Sequence, residues 1–133
     1  MSSLKASARP GLSPLGGKRV PAIFFNADSG GESVRDRLIG LPSSDDRERI
    51  GTDIATVEFG WPIGTPTCRS LGNGLCQVRT KRAHNRIARV IFYIDRKHRM
   101  VLLHGFIKKT QKAPDGDIEL ARKNKRKHQR GLA

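Results

Sequence analysis

The apolar run "RVPAIFF" (19–25) is β-prone, and Pro21, which has no backbone N–H to donate, marks it as a strand start or a sheet edge. The period then changes. In "GGESVRDRLIGLP" (30–42) Val34 and Leu38 stand four apart and Gly40 and Pro42 follow as stop signals, which predicts a short amphipathic helix. A second helix is predicted over "SSDDRERIGTDIATVEFG" (43–60). Ser43 or Ser44 can cap it, Asp45 and Asp46 suit its positive end, and Ile50, Ile54 and Val57 form one apolar face. Two such helices in succession form a hairpin that must cover something.

Beyond residue 60 short β-prone runs alternate with turn chemistry: "GTPTCRSLGNG", "LCQVRT", "RIARVIFYI" and "MVLLHGF". Asn73-Gly74 suits a tight turn, "KRAHN" (81–85) a longer loop, and "DRKHR" (95–99) a connection between the last two strands, so an antiparallel meander is expected. Strict alternation puts Met100, Leu102, His104 and Phe106 on one face and Val101, Leu103, Gly105 and Ile107 on the other; it also sends Arg86 and Arg89 to opposite faces. The tail "DGDIELARKNKRKHQR" (115–130) carries acids first and bases last, as a helix dipole favours. Only Ile118, Leu120 and Ala121 are at hand to anchor it, so its second half is expected to be solvated and frayed. The fold class is α+β, with the helices stacked on one sheet face and the other face left for function. Residues 1–18, rich in Ser, Gly and Pro, read as a disordered basic tail and residues 19–130 as one domain.

Charge sharpens the picture. Lys and Arg number 26 against 12 Asp and Glu, a formal +14, so a polyanion is the expected partner. The excess is lopsided: ten bases face eight acids in residues 1–80, and sixteen face four in residues 81–133. Two cysteines, Cys68 and Cys76, are too few for a disulfide framework, and no Cys or His spacing suits a metal, so neither metal nor cofactor is expected. Without an apolar run that could span a bilayer or a signal-peptide core, the chain is expected to be cytoplasmic.

The densest concentration of unneutralised charge follows the last strand, in "HGFIKKTQKAP" (104–114), where Lys108, Lys109 and Lys112 have no acid among them. Such a cluster stabilises a phosphate and lowers the lysines' affinity for protons. A solvated basic loop is the plainer reading. Arg79 ends one strand, and with Arg86 or Arg89 it could join these lysines in one basic concavity. Trp61 and Tyr93 read as packing residues.

"VPAIFF", "TVEFGWPIGTP", "LGNGLCQVR", "RIARVIF", "VLLHGFIKKTQKAP" and "DIELAR", over about residues 20–123, together resemble the phage-derived branch of the RelE/HigB-like toxins of type II toxin-antitoxin systems. The resemblance implies a small RelE-like RNase fold and a metal-independent endoribonuclease that cuts mRNA at the ribosome and is silenced by an antitoxin, itself a helix-turn-helix DNA-binding protein. It further implies Arg86 and Lys109, or its neighbour Lys108, as catalytic residues and Arg79 as a basic residue of the cleft; His104, the only histidine on a predicted strand, is read beside them as a proton-transfer or base-stacking group, and Lys81, Arg82, Arg89 and Lys112 as further RNA contacts. The chain departs from the family pattern at Cys76 and Gln77 and lacks a tyrosine near its last helix. A non-cleaving RNA or ribosome binder of the same fold, and a ParE-like toxin directed at gyrase, remain alternatives.

Overall fold

A computed structural model describes residues 17–26, 34–110 and 112–131. The elements run β1 (Ala22–Phe24), α1 (Val34–Ile39), α2 (Ser44–Gly60), β2 (Cys68–Gly72), β3 (Leu75–Lys81), β4 (Ile87–Ile94), β5 (Met100–Lys108) and α3 (Asp115–Gly131). They build the expected α+β fold around a five-stranded sheet of order β1-β5-β4-β3-β2. The meander β2 to β5 is antiparallel, and β1 adds to the β5 edge in parallel. Because β1 and β2 lie at opposite edges, the chain between them must cross the sheet, and α1 and α2 make that crossing.

Ser43 caps α2 by accepting from the Asp46 amide. The stripe Ile50, Ile54 and Val57 is buried against Val78, Ala88, Val90, Phe92, Met100 and Leu102. At the far end of α2, Glu58 ties down β1: its carboxylate accepts from the Ala22 amide at 2.7 Å and its carbonyl from the Arg19 and Val20 amides. Trp61 ends the helix and packs edge-on against Phe92. The β2–β3 turn places Asn73 and Gly74 at positive φ, where glycine carries no Cβ penalty.

Three expectations need correction. The helices do not share one face, because α3 packs on the side opposite the hairpin, over Leu75, Ile91, Tyr93, Val101 and Leu103. Nor is its second half unanchored. Asn124 donates to the Leu103 carbonyl at 2.9 Å, Lys125 donates to the Asn73 carbonyl at 2.6 Å, and His128 meets the Tyr93 hydroxyl at 2.5 Å, while Leu120 stays exposed. Polar side chains do the anchoring that apolar ones were expected to do. The expected disordered tail lies, but for residues 17 and 18, outside the described residues.

The third correction concerns the strand faces. Ile91 pairs with His104 but Phe92 pairs with Leu102, so Leu103 is an extra residue in β5, a β-bulge. Met100 and Leu102 do share a face, that of the hairpin, but the extra residue shifts the alternation, and His104 and Phe106 join Val101 and Leu103 under α3.

Candidate functional site

With the bulge in place, the α3 side of the sheet carries an ordered array of polar groups on β3, β4 and β5. Gln77, Ile91 and His104 form one cross-strand row; Arg79, Arg89 and Phe106 form the next; Lys81, Ile87 and Lys108 form the third. The start of α3 lies against the β5 column. Asp117 meets His104 Nε2 through Oδ1 at 2.7 Å and accepts from Lys108 Nζ through Oδ2 at 2.7 Å. Phe106 lies between the two bases: the His104 ring stacks on it at 5.3 Å and the Lys108 ammonium sits 5.3 Å from its centroid. Burial raises the Asp117 pKa, but hydrogen bonds from Lys108 and His104 outweigh it and hold the carboxyl below its usual range.

The Arg79–Arg89 pair is the most unusual feature. Arg89 has no solvent exposure, and among the described residues its guanidinium makes one hydrogen bond, from Nη2 to the Thr110 carbonyl at 2.9 Å. Its Nε and Nη1, and the Nε of Arg79, are buried without partners, as is the Oε1 of neighbouring Gln77. Neither arginine joins an ion pair among the described residues. Burial, and then the positive charge of Arg79 across the ladder, push the Arg89 pKa down. A desolvated cation with idle donors is costly unless an anion meets it, and Arg79, only partly covered, is the group through which an anion would approach.

The structure separates the remaining sequence candidates. Arg86 lies on the hairpin side, its Nη1 on Asp46 Oδ2 at 3.2 Å and its Nε on the Ala83 carbonyl at 3.0 Å. Arg82 is committed to the same place, donating to Asp46 at 2.6 Å and also to Asp45. Asp46 is nearly buried, and the Arg82 hydrogen bond, together with that from Arg86, lowers its pKa against the cost of burial. Lys81, Lys109 and Lys112 are exposed, and their ammonium groups join no ion pair among the described residues; Lys81 stands at the edge of the array and the other two in the loop that leads into α3. His104, Lys108, Arg79 and Arg89 are thus brought together; Arg82 and Arg86 are held elsewhere.

Sequence reasoning missed Asp117, which reads as an ordinary dipole acid at a helix start. The remaining signal is subtle: it is among the first acids within reach of a strand that ends in His104 and Lys108. A groove of about 410 Å³ also opens on the hairpin side, between α1 and the β4–β5 strands, where Arg37 and Arg89 join Leu38, Leu41, Ile50 and Val90 in its lining. Its wall mixes apolar and polar surface, with Arg37 donating to the Gly105 carbonyl at 2.9 Å, but it holds no histidine or carboxylate beside a base as the α3 face does. Cys68 and Cys76 are free thiols on the hairpin side, and the hydrogen bond to Cys76 and burial push the Cys68 pKa up, which makes it a poor nucleophile.

A family model for phage-derived Gp49-like proteins (DUF891) matches residues 36–126, from α1 through most of α3. The chain belongs to the phage-derived Gp49-like family. The match takes in every residue of the array described above, and the family is RelE-like and toxin-related. No curated protein matches the Gp49-like chain. Among its described residues no helix is long and apolar enough to cross a membrane, and no group of three or more His, Cys, Asp or Glu is placed to hold a metal ion.

Proposed function

We propose that this Gp49-like protein is the toxin of a type II toxin-antitoxin system and an endoribonuclease that cuts mRNA, on the ribosome, without a metal. The observation that carries the reading is the Arg79–Arg89 pair, which has three buried idle nitrogens and no counter-charge among the described residues, one row from the His104–Asp117–Lys108 cluster. RNA cleavage by its own 2′-hydroxyl needs charge stabilisation at the phosphate and proton transfer beside it. Arg79 meets the phosphate and Arg89 reinforces its field from behind. His104 takes the 2′ proton as the 2′-oxygen bonds to phosphorus. The bond from phosphorus to the 5′-oxygen breaks, and that oxygen takes a proton from an ammonium of the Lys108–Lys112 cluster. The products are a cyclic phosphate and a free 5′-hydroxyl.

This assignment gives Arg89 and Arg79 the role that the family resemblance gives Arg86, since Arg86 is already neutralised by Asp46. The +14 charge supports a partner antitoxin that presents an acidic segment to the basic half of the chain. The test is to induce the protein in growing cells and map new RNA 5′ ends. New ends bearing a 5′-hydroxyl, also produced by the purified protein on ribosome-bound mRNA in the presence of a chelator, are expected. Growth arrest with intact RNA overturns cleavage and leaves a non-cleaving RNA binder of the same fold.

A further inference from the structure

His104 has two ring nitrogens, and the structure gives them different surroundings. Nε2 faces Asp117 Oδ1 at 2.7 Å, whereas Nδ1 has no hydrogen-bond partner among the described residues. An ionised carboxylate can only accept, so the proton of a neutral imidazole belongs on Nε2 and the lone pair on Nδ1 is left bare. The second carboxylate oxygen is taken by Lys108, which can only donate. Phe106 fixes the plane of the ring from one side by stacking, and Lys108 rests against the same aromatic ring. The imidazole is therefore held in position and orientation by Asp117 and Phe106, both of which Lys108 braces, and Asp117 alone selects the tautomer.

We propose that Asp117 is a positioning residue, which fixes His104 as the Nε2–H tautomer so that Nδ1 is the atom that accepts the substrate proton; its catalytic consequence rests on the RNA-cleavage reading above. Asp117 itself touches no reacting atom. It acts through His104 and stabilises the imidazolium that forms when Nδ1 takes the 2′ proton, while the proton on Nε2 stays where it is. Lys108 in turn holds the carboxylate and compensates part of its charge. Its exposed neighbours Lys109 and Lys112 remain free to protonate the leaving oxygen.

Asparagine at this position separates the roles. Its single carbonyl oxygen cannot accept from both Lys108 and His104. Lys108 can only donate, so Asn turns its oxygen to Lys108 and its NH₂ to His104, which forces the imidazole proton onto Nδ1 and blocks the base. A carboxylate that fixes a catalytic histidine elsewhere shows this kind of loss on Asp→Asn exchange.

The experiment joins a spectroscopic readout to a kinetic one. Protein labelled with ¹⁵N-histidine is examined by long-range ¹H–¹⁵N correlation above the imidazole pKa, and cleavage of an RNA oligonucleotide is followed against pH. Wild-type His104 is expected as the Nε2–H tautomer. Asp117→Asn is expected to move the proton to Nδ1, to lower kcat by about a hundredfold or more with KM little changed, and to flatten the acid limb of the pH profile. Asp117→Glu, which keeps the carboxylate, is expected to recover part of the rate. A wild-type His104 protonated on Nδ1 overturns the proposal without any variant having to fold. Asp117→Asn that cleaves at the wild-type rate overturns it too, and one that cleaves faster shows that Asp117 blocks the site instead. If wild type shows the Nε2–H tautomer and Asp117→Asn shifts it, but no RNA is cut by either, the positioning is supported and the cleavage reading falls.

Discussion

Arg79 and Arg89 stand directly opposite one another in the β3–β4 ladder, two like charges in register, with three of their N–H donors buried and idle. Cross-strand like charges are destabilising, and burial of one of them adds to the cost. A fold retains such a pair at the expense of its own stability, so stability and RNA cleavage should respond in opposite directions when it is removed. Arg89→Met, which keeps the volume and removes the charge, is expected to leave the fold as stable or to stabilise it by about 1 kcal/mol or more. The same change should slow RNA cleavage by about a hundredfold, the usual loss of one electrostatic donor at a developing charge. Thermal unfolding and an oligonucleotide assay check both; a variant that is less stable yet fully active would assign Arg89 to the scaffold.

Arg86 should behave differently. Its guanidinium is partly exposed and serves the Asp46 carboxylate. Arg86→Ala is expected to cost up to about 1 kcal/mol of stability, as a partly solvated ion pair does, and to slow cleavage far less than Arg89→Met. Asp46→Ala should cost about 3 kcal/mol, because it leaves Arg82 and Arg86 without their shared counter-charge on the second helix. Denaturant midpoints measured beside cleavage rates decide it, and a large loss of cleavage in a stable Arg86→Ala variant would return that arginine to the site.

Acid should loosen the fold at three identifiable points. In Asp46 the Arg82 hydrogen bond lowers the pKa; in Asp95 and Asp117 burial works the other way but is outweighed by Arg99 and by Lys108 with His104 respectively. Each carboxylate is therefore held below the value of about 3.9 that it has in an unfolded chain. The stabilisation is fully present above that unfolded value and is lost as pH falls through the depressed folded values. Urea midpoints should be level between about pH 6 and 7 with respect to these groups and fall below about pH 4. Asp117→Asn should show a shallower fall than wild type.

The exposed bases Lys123, Arg126, Lys127 and Arg130 lie on the outer side of the last helix, away from its anchors Asn124, Lys125 and His128. Replacing all four by Gln is expected to weaken RNA binding and to reduce its salt dependence by about 0.7 to 0.9 in log–log slope for each phosphate that is no longer neutralised. The cleavage rate at saturating RNA should hardly change. Removal of the whole segment is a different experiment, since it also strips the bonds that fasten the helix to Leu103, Asn73 and Tyr93. A fully quenched cleavage rate in the folded quadruple variant would place this helix face within the site.

Much of the molecule is legible from local pattern alone. The Ile50, Ile54 and Val57 stripe, the Ser43 cap, the Asn73-Gly74 turn and the basic second half all follow from rules that act over a few residues, and each appears in the structure. What tertiary structure decided depends on partners far apart in sequence. One additional residue at Leu103 reverses the alternation of β5, and no glycine or other local marker at that position announces it; only pairing with β4 reveals that His104 belongs beside Arg89. Arg82 and Arg86 look as available as Arg79 in the sequence until α2 brings Asp46 against them. Asp117 becomes more than a dipole acid only when α3 settles on the side of the sheet opposite the hairpin. Charge and periodicity are properties of the chain, whereas the availability of a charge depends on which counter-charge the fold brings within reach.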